Sequence, residues 1–423
     1  MGSRGNALSL EEAQRRILAH ALPLGAERMP LADVLGLRLA EEVRASEPIP
    51  AFTRSGVDGY AVRAADLAQA SPQSPVLLTL TGQVATADGS GKLGHRETMR
   101  IGTGGQLPEG ADTVVMQEAV TLRHGEGDLR QAVFLRPEPV GRHVTAAGAE
   151  AAAGSVLLAE HTRLGAGHIA VLASLGIARP QVYRKPRIAI VTVGEDIVPV
   201  ESTPGRGQVR NGNQSMLRAQ VESAGGRVVY TEHVPDERDR ARLALQHSLD
   251  QADALLVSGG ISVGDTDVMG GLFREAGPDL LFGKLAIRPG SASSAMIAGG
   301  KLAIGLSGNP GACFAGFELL ARPAIDSMGG GSGQPRRSRA RLADGMIKRS
   351  VFPRFLRGIV WMEDGALIAR PCAENSSSGL VSIAEANALL AIHPSSHDTV
   401  AGAMIDVLLL PGWEEIAWHR GRP

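Results

Sequence analysis

Residues 253–269 read DALLVSGGISVGDTDVM. The stretch opens as a short apolar strand, then gives up its side chains for two adjacent glycines, a hydroxyl and two aspartates. A buried strand that ends in bare backbone and negative charge is how an open parallel sheet presents a ligand site, because ligands sit outside the carboxyl ends of its strands. Two further apolar runs end alike. IAIVTVGED closes on Gly194, Glu195 and Asp196, and LAIGLSGNPG closes on Ser307, Gly308, Asn309 and Pro310 before the apolar helix pattern ACFAGFELLARPAI.

Outward from these ends, residues 187–325 alternate strand and helix patterns. RIAIVTV, RVVYTEHV, ALLVS, FGKLAIRP and KLAIGLS are apolar or alternating runs, and NQSMLRAQVESAG and DERDRARLALQHSL lie between them with helical period. Such alternation predicts right-handed βαβ units and a doubly wound, mostly parallel sheet covered on both faces. Ser9 before LEEAQRRILAHAL, with Glu12 three residues on, predicts a helix opened by a capping box. Residues 25–180 are different in texture, rich in Gly, Pro and β-branched runs such as SPVLLTLTGQV, ADTVVMQEAV and QAVFLRPE, which predict β-rich domains. SMGGGSGQPRRSRAR reads as a flexible break and solvated basic linker, after which the chain predicts a small C-terminal β domain. The expected division is 1–24 with 176–328 as the central α/β domain, 25–46 with 140–175 as a β-rich connecting domain, 47–139 as an inserted β-rich domain and 329–423 as the last.

Bulk properties narrow the function. The 423 residues are 43% hydrophobic, enough for several cores. With 43 basic against 44 acidic residues and a formal net charge of −1, no global field recruits nucleic acid or an anionic membrane, so neither is an expected partner. Cys313 and Cys372 are too few for a disulfide framework and sit among small or apolar neighbours, which suits buried thiols in a reducing compartment. No run is long and apolar enough to span a bilayer and the first residues carry no signal-like stretch; a cytoplasmic location is expected.

The turns carry the chemistry. Glycine admits backbone amides close to an anion, and a helix start adds roughly half a positive charge, so Gly259, Gly260, Ser262 and Gly264, and Ser307 to Pro310, are candidate phosphate or oxyanion cradles. Asp196, Asp236 and Asp267 all follow strands of one predicted sheet. Two like charges about 4 Å apart repel by roughly 4 kcal/mol at an effective dielectric near 20, so convergence calls for a cation, and Mg2+ suits oxygen ligands of this kind. Lys284 and Arg288, four apart on a predicted strand, would share one face. Plainer roles compete. Asp236 could cap its helix, Asp58-Gly59 could make only a hairpin turn, and GTGGQLPEGAD could be a surface loop with Thr103 a turn hydroxyl. His393 and His397 have a ligand-like spacing, but Pro394 argues against the helix such a pair would need. GxxxxGK[ST] is absent, so the ordinary P-loop is excluded.

Taken together, GVDGYAVR, RIGTGGQLPEGADTVV, VTVGEDI, VRNGNQSML, SGGISVGDTD, KLAIRPG and GLSGNPGACFAGFELL stand in an order that resembles the molybdopterin molybdenumtransferase (molybdenum insertase) family, which includes the E domain of gephyrin. The resemblance runs from about residue 8 to the C-terminus. It implies a homodimer whose active site uses both subunits, adenylylated molybdopterin and molybdate as substrates, Mg2+ as cofactor, release of AMP, and a possible molybdopterin adenylyltransferase partner. By position it implies activity for Asp58, Thr103, Asp236, Asp267, Lys284 and Arg288, metal binding for Asp196 and Asp267, and an oxyanion contact for Ser377 in ENSSSGL. Several positions depart from the family pattern. Ser291 stands where a lysine is usual, Arg288 replaces a lysine, Ser307 replaces a proline, RSGV precedes Asp58 in place of Asn/Ser-Ala-Met, and GRHVTAAGAE replaces an Asn-x-Arg-x-x-Gly-Glu-Asp run. Lost cations at an oxyanion site leave a second reading, a diverged non-catalytic member acting as a binding or scaffold protein, and the turns alone allow a third, a different nucleotide pyrophosphatase.

Overall fold

The computed structural model describes residues 7–84, 91–124, 130–261, 268–345, 350–394 and 399–414. Two compact units emerge, one of residues 1–40, 161–170 and 178–423 and one of residues 41–160 and 171–177.

In the larger unit, the apolar runs of the central region become β1 (Arg187–Val193), β2 (Arg227–Val234), β3 (Ala254–Ser258), β4 (Leu280–Phe282), β5 (Ser294–Ala298) and β6 (Lys301–Leu306), in the sheet order β2-β1-β3-β6-β5-β4. The pairs β1/β2, β1/β3 and β3/β6 are parallel, while β5 against β6 and β4 against β5 are antiparallel, so the sheet is mixed. β1 and β3 are buried on both faces, which explains their unbroken apolar text. Alternate residues serve opposite cores. Ile188, Ile190, Leu256 and Ile304 join one cluster; Ala189, Val191, Leu255 and Val257 join the other.

Six helices are used below: α1 (Leu10–Leu18), α2 (Gly212–Ser223), α3 (Arg238–Gln251), α4 (Val268–Glu275), α5 (Pro310–Gly316) and α6 (Arg322–Met328), the last two joined through a π-helical stretch, Phe317–Ala321. α1 brings Leu10, Ala13 and Ile17 onto the first core, beside residues of α2 and α6, and α3 and α4 cover the second. The α1 cap is only half of the expected box. Ser9 Oγ accepts from the Glu12 amide at 3.2 Å, but the Glu12 carboxylate turns to Arg15 and Arg16, which hold its pKa down at about 2.

The C-terminal part closes into a barrel of β7 (Arg337–Leu342), β8 (Arg354–Glu363), β9 (Ala366–Pro371), β10 (Ala388–Ile392) and β11 (Met404–Leu409), ordered β7-β9-β8-β10-β11. Here two expectations fail. The basic run is no solvated linker but strand β7, with Arg337, Arg339 and Arg341 exposed and Ala340 and Leu342 buried, because alternation and not charge decides a strand's inner face. Nor is the glycine run before it free. Asp326 accepts from the Gly331 amide with its backbone carbonyl at 2.7 Å and from the Gly333 amide with its carboxylate at 3.1 Å.

The smaller unit holds a six-stranded sheet of Thr113–Met116, Gly59–Val62, Glu97–Ile101, Val76–Gln83, Arg130–Phe134 and Thr121–His124, in that spatial order. SPVLLTLTGQV, ADTVVMQEAV and QAVFLRPE all supply strands to it. Tyr60, Val62, Leu78 and Phe134 form its core.

Candidate active site

At the carboxyl ends of β1, β3 and β6 the chain turns back through backbone with almost no side chain. Gly259 has φ +92° and Gly260 φ +62°, both left-handed, and a Cβ on Gly259 would run into the Val193 carbonyl at the end of β1. The Gly259 amide donates to the Leu306 carbonyl at 3.2 Å, tying this turn to the end of β6. A Cβ on Gly308 would lie 3.4 Å from the Gly259 Cα, so the two glycine turns sit against one another. Their adjacency follows from the β1-β3-β6 register: Thr192 pairs with Ser258, and Ser258 with Leu306.

A buried polar network supports the turns. Asn213 Nδ2 donates to Ser258 Oγ at 2.9 Å and to the Gly308 carbonyl at 2.8 Å, and Ser258 Oγ donates to the Ser307 carbonyl at 3.1 Å. Asn211 caps α2 through the Gln214 amide and donates from Nδ2 to Thr192 Oγ1 at 2.8 Å. Asn211, Asn213, Ser258 and Thr192 are all buried. These four were not among the sequence candidates. The signal for them is the placement of polar residues at the last positions of otherwise apolar strands, and of two asparagines at the start of α2.

Ser307, Gly308, Asn309 and Pro310 lead into α5, whose first turn has no side-chain cap. The helical run from Pro310 to Met328 therefore presents its positive end beside the Gly259–Gly260 turn. Ser307 Oγ accepts from the Asn309 amide at 3.2 Å, so the serine at the proline position shapes this turn by a hydrogen bond in place of a ring. Ser377 arrives from the barrel, and its carbonyl accepts from the Ala312 amide at 3.1 Å. What holds its loop is Arg357 on β8. This guanidinium is 1% exposed and donates to the Ser376 carbonyl at 2.7 Å and to Ser382 Oγ at 2.8 Å, and a Cβ on Gly311 would strike it. Burial pushes the Arg357 pKa below the usual arginine value. Sequence reading passed over Arg357, because an arginine inside FLRGIV is marked only by its contrast with apolar neighbours.

Two of the acidic candidates, Asp196 and Asp236, follow the carboxyl ends of the parallel strands β1 and β2. The Gly194 amide donates to the Val234 carbonyl at 3.2 Å, and Asp196 and Asp236 each stand two residues beyond that bond, exposed. Asp236 does not cap α3. Its N-cap is Glu237, with no side-chain bond. Ser262, Gly264 and Asp267 lie outside the described residues, as does His397; His393 Nε2 instead meets Asp406 Oδ2 at 3.0 Å.

Lys284 and Arg288 do not share a strand face. β4 ends at Phe282, and residues 283–290 run irregularly, bonded to Leu8 on one flank and to Pro353 and Phe355 on the other, through a cis peptide at Arg288-Pro289. The KLAIRPG text alternates like a strand, but Pro289 removes a donor and the chain must turn toward α5, which Gly290 approaches with φ +95°. Both basic side chains are exposed.

In the smaller unit Asp58 and Thr103 do come together. The Asp58 Oδ1 accepts from the Thr103 amide at 2.7 Å and from Thr103 Oγ1 at 2.9 Å, and these bonds hold the Asp58 pKa below the usual carboxylate value. Gly59 is not merely a turn glycine, since a Cβ there would meet the Val115 carbonyl.

The larger unit thus brings two turns of bare backbone together, with exposed carboxylates on the adjoining strand ends that have no ion-pair partner among the described residues. Family models match along nearly the whole chain: the MoeA N-terminal region (domain I and II) at residues 8–176, a "probable molybdopterin binding domain" at 189–327 and the MoeA C-terminal region (domain IV) at 339–410. A molybdopterin molybdenumtransferase of Bacillus subtilis is 36% identical over 405 residues, 95% of this chain and 94% of the relative. One from Staphylococcus aureus is 32% identical over 406 residues, 96% of each chain. The crystal structure of a molybdopterin biosynthesis MoeA protein from Pyrococcus horikoshii superimposes with a TM-score of 0.82 at 29% identity, covering 96% of this chain and all of that one. By sequence and fold, the chain belongs to the molybdopterin molybdenumtransferase family of molybdenum cofactor biosynthesis enzymes.

Proposed function

We propose that the protein inserts molybdate into adenylylated molybdopterin in a Mg2+-dependent reaction that releases AMP. One observation carries this reading: the Gly259–Gly260 and Ser307–Pro310 turns lie against each other at adjacent parallel strand ends, with the carboxylates of Asp196 and Asp236 on the neighbouring ends. In this reading segments 1–24 and 176–328 form the domain that holds the pterin nucleotide, with 25–46 and 140–175, 47–139 and 329–423 as the further domains.

The bare backbone of the glycine turns lets the adenylate phosphates approach backbone amides closely. The open end of α5 then offsets the phosphate charge. Asp196 and Asp236 fit Mg2+ by donor type, being exposed oxygen ligands without an ion-pair partner among the described residues. Asp196 with Asp267 would hold the ion, whose chemistry when bound is to neutralise charge at the phosphoanhydride. Lys284 and Arg288 supply cations for the oxyanion, Ser377 a hydroxyl, and Asp236, Asp58 and Thr103 polar contacts to the reacting groups. Hydrolysis adds water across the phosphoanhydride, one phosphate leaving as AMP and the other staying on the pterin, while the two dithiolene thiols bind molybdenum and an oxo group of molybdate leaves with their protons as water.

A homodimer, a molybdopterin adenylyltransferase that hands over the substrate, and a cytoplasmic location complete the proposal. Among the described residues no helix is long and apolar enough to cross a membrane. Incubation with adenylylated molybdopterin, Mg2+ and molybdate tests it. Molybdate-stimulated AMP release is expected, and its absence would remove the proposal in favour of a non-catalytic binding protein.

A further inference from the structure

A cavity of about 450 Å3 opens at the amino ends of β1 and β2, where Arg184, Lys185 and Pro186 precede β1 and Glu222 to Gly225 close α2. This is the end of the sheet opposite the glycine turns. α2 begins at the candidate active site and ends in the cavity wall, about 18 Å away for its length. The helical run that starts at Pro310 likewise ends there, with Arg322, Ile325, Asp326 and Gly329.

The wall carries six cations, Arg38, Arg163, Arg184, Lys185, Arg322 and Arg336, against three acids, Glu222, Glu318 and Asp326. Three of the cations are neutralised. Arg38 meets Asp326 at 2.9 Å, Arg322 meets Glu318 at 3.0 Å, and Arg184 makes a two-pronged bond to Asp253 at 2.7 and 2.8 Å. Arg163 makes a 3.3 Å bond to the Gly36 carbonyl, while Lys185 and Arg336 are exposed and have no acidic partner among the described residues. Among the described wall residues only Glu222 stands against these three, so the concave wall holds an excess of positive charge within a chain whose formal net charge is −1.

The wall is also built and not a packing gap. Asp326 fixes the 331–333 turn, and Tyr183 stacks on His161 with centroids 5.2 Å apart and planes 7° off parallel. Concave sites of this volume hold small molecules, and arginine forks with a lysine select phosphate or carboxylate groups. We propose that this cavity is a second ligand site that takes a compact polyanion bearing phosphate or carboxylate groups.

Hydrogen-exchange mass spectrometry on the full chain, with millimolar inorganic pyrophosphate or citrate as probes, tests the site. At least one probe is expected to slow exchange at residues 183–187, 222–226 and 329–336. Protection by pyrophosphate alone supports a phosphate ligand, and by citrate alone a carboxylate ligand. The Lys185→Glu/Arg336→Glu double variant, both positions being exposed, is expected to weaken that protection about tenfold or more without shifting the melting temperature. Unchanged exchange in those segments with both probes would overturn the proposal. So would protection that the charge reversal leaves intact, and so would a double variant whose melting temperature falls while the single Lys185→Ala variant, still folded, binds as the parent does. Protection at 258–261 and 307–313 alone reports the other site and counts against this one.

Discussion

At Gly259 a single methyl group decides whether the turn exists. The residue has φ +92° and its Cβ would collide with the Val193 carbonyl, so Gly259→Ala is expected to cost about 1–3 kcal/mol in urea unfolding and to abolish turnover. Asn213 is the other residue on which the turns depend, bonded at once to Ser258 and to the Gly308 carbonyl. Asn213→Ala leaves the buried Ser258 hydroxyl, and the part-buried Gly308 carbonyl, without that donor, and a loss of about 1–3 kcal/mol is expected by the same measurement. Asp58 offers a titration. Its pKa is lowered by Thr103, so whatever the contact adds to stability is present above the ordinary carboxylate pKa of about 3.9 and lost as pH falls through the lower folded value. Thr103→Val removes the hydroxyl donor and is expected to raise the Asp58 pKa, read by carbon NMR of the side-chain carboxyl; an unmoved titration would show that the backbone amide alone sets it. Cys313 needs no such test of reactivity, because burial pushes its thiol up to about 12 and leaves it protonated.

Among elements, the contact that joins the barrel to α5 depends on one buried cation. Arg357 on β8 bonds the Ser376 carbonyl and Ser382 Oγ, while the Ser377 carbonyl takes the Ala312 amide. Arg357→Ala would strip those acceptors of their donor and leave a hole beside Gly311, and an unfolding loss of about 3–5 kcal/mol is expected from cavity and unpaired groups together. Arg357→Lys is not conservative here, since one ammonium cannot reproduce the fork, and it should recover less than half of that loss. Helix α1 shows the milder case. Its acidic Glu12 serves Arg15 and Arg16 in place of completing the capping box, and exchanging it alters a surface pair without touching Leu10, Ala13 or Ile17 in the core. β7 shows that a basic text can be a strand when its alternate positions are small and apolar.

For the molecule as a whole, the proposed reaction makes a prediction that stability measurements cannot imitate. Asp196→Asn keeps the turn, whose backbone carbonyl accepts from Val209 at 2.8 Å, and is expected to melt as the parent does while AMP release falls at least about 100-fold at limiting Mg2+. Near-normal rates for that variant would remove Asp196 from the metal assignment.

The sequence alone determined the α/β class, the strand ends that carry the candidate site, the β-rich character of the flanking segments and the family. These are local or ordered features: an apolar run of strand length, glycine where backbone must be bare, and motifs in series. Asp58 with Thr103, and Gly259 with the Ser307–Pro310 turn, were legible as candidates because each is marked in its own stretch. Only the tertiary structure decided which of them touch. It bent the Lys284–Arg288 segment out of the sheet through Pro289, carried Ser377 from the barrel to α5, and set Asn211, Asn213 and Arg357 behind the turns. The physical reason is that a buried polar residue is specified by partners distant in the chain, whose approach depends on sheet order and barrel closure, and no local period records that approach.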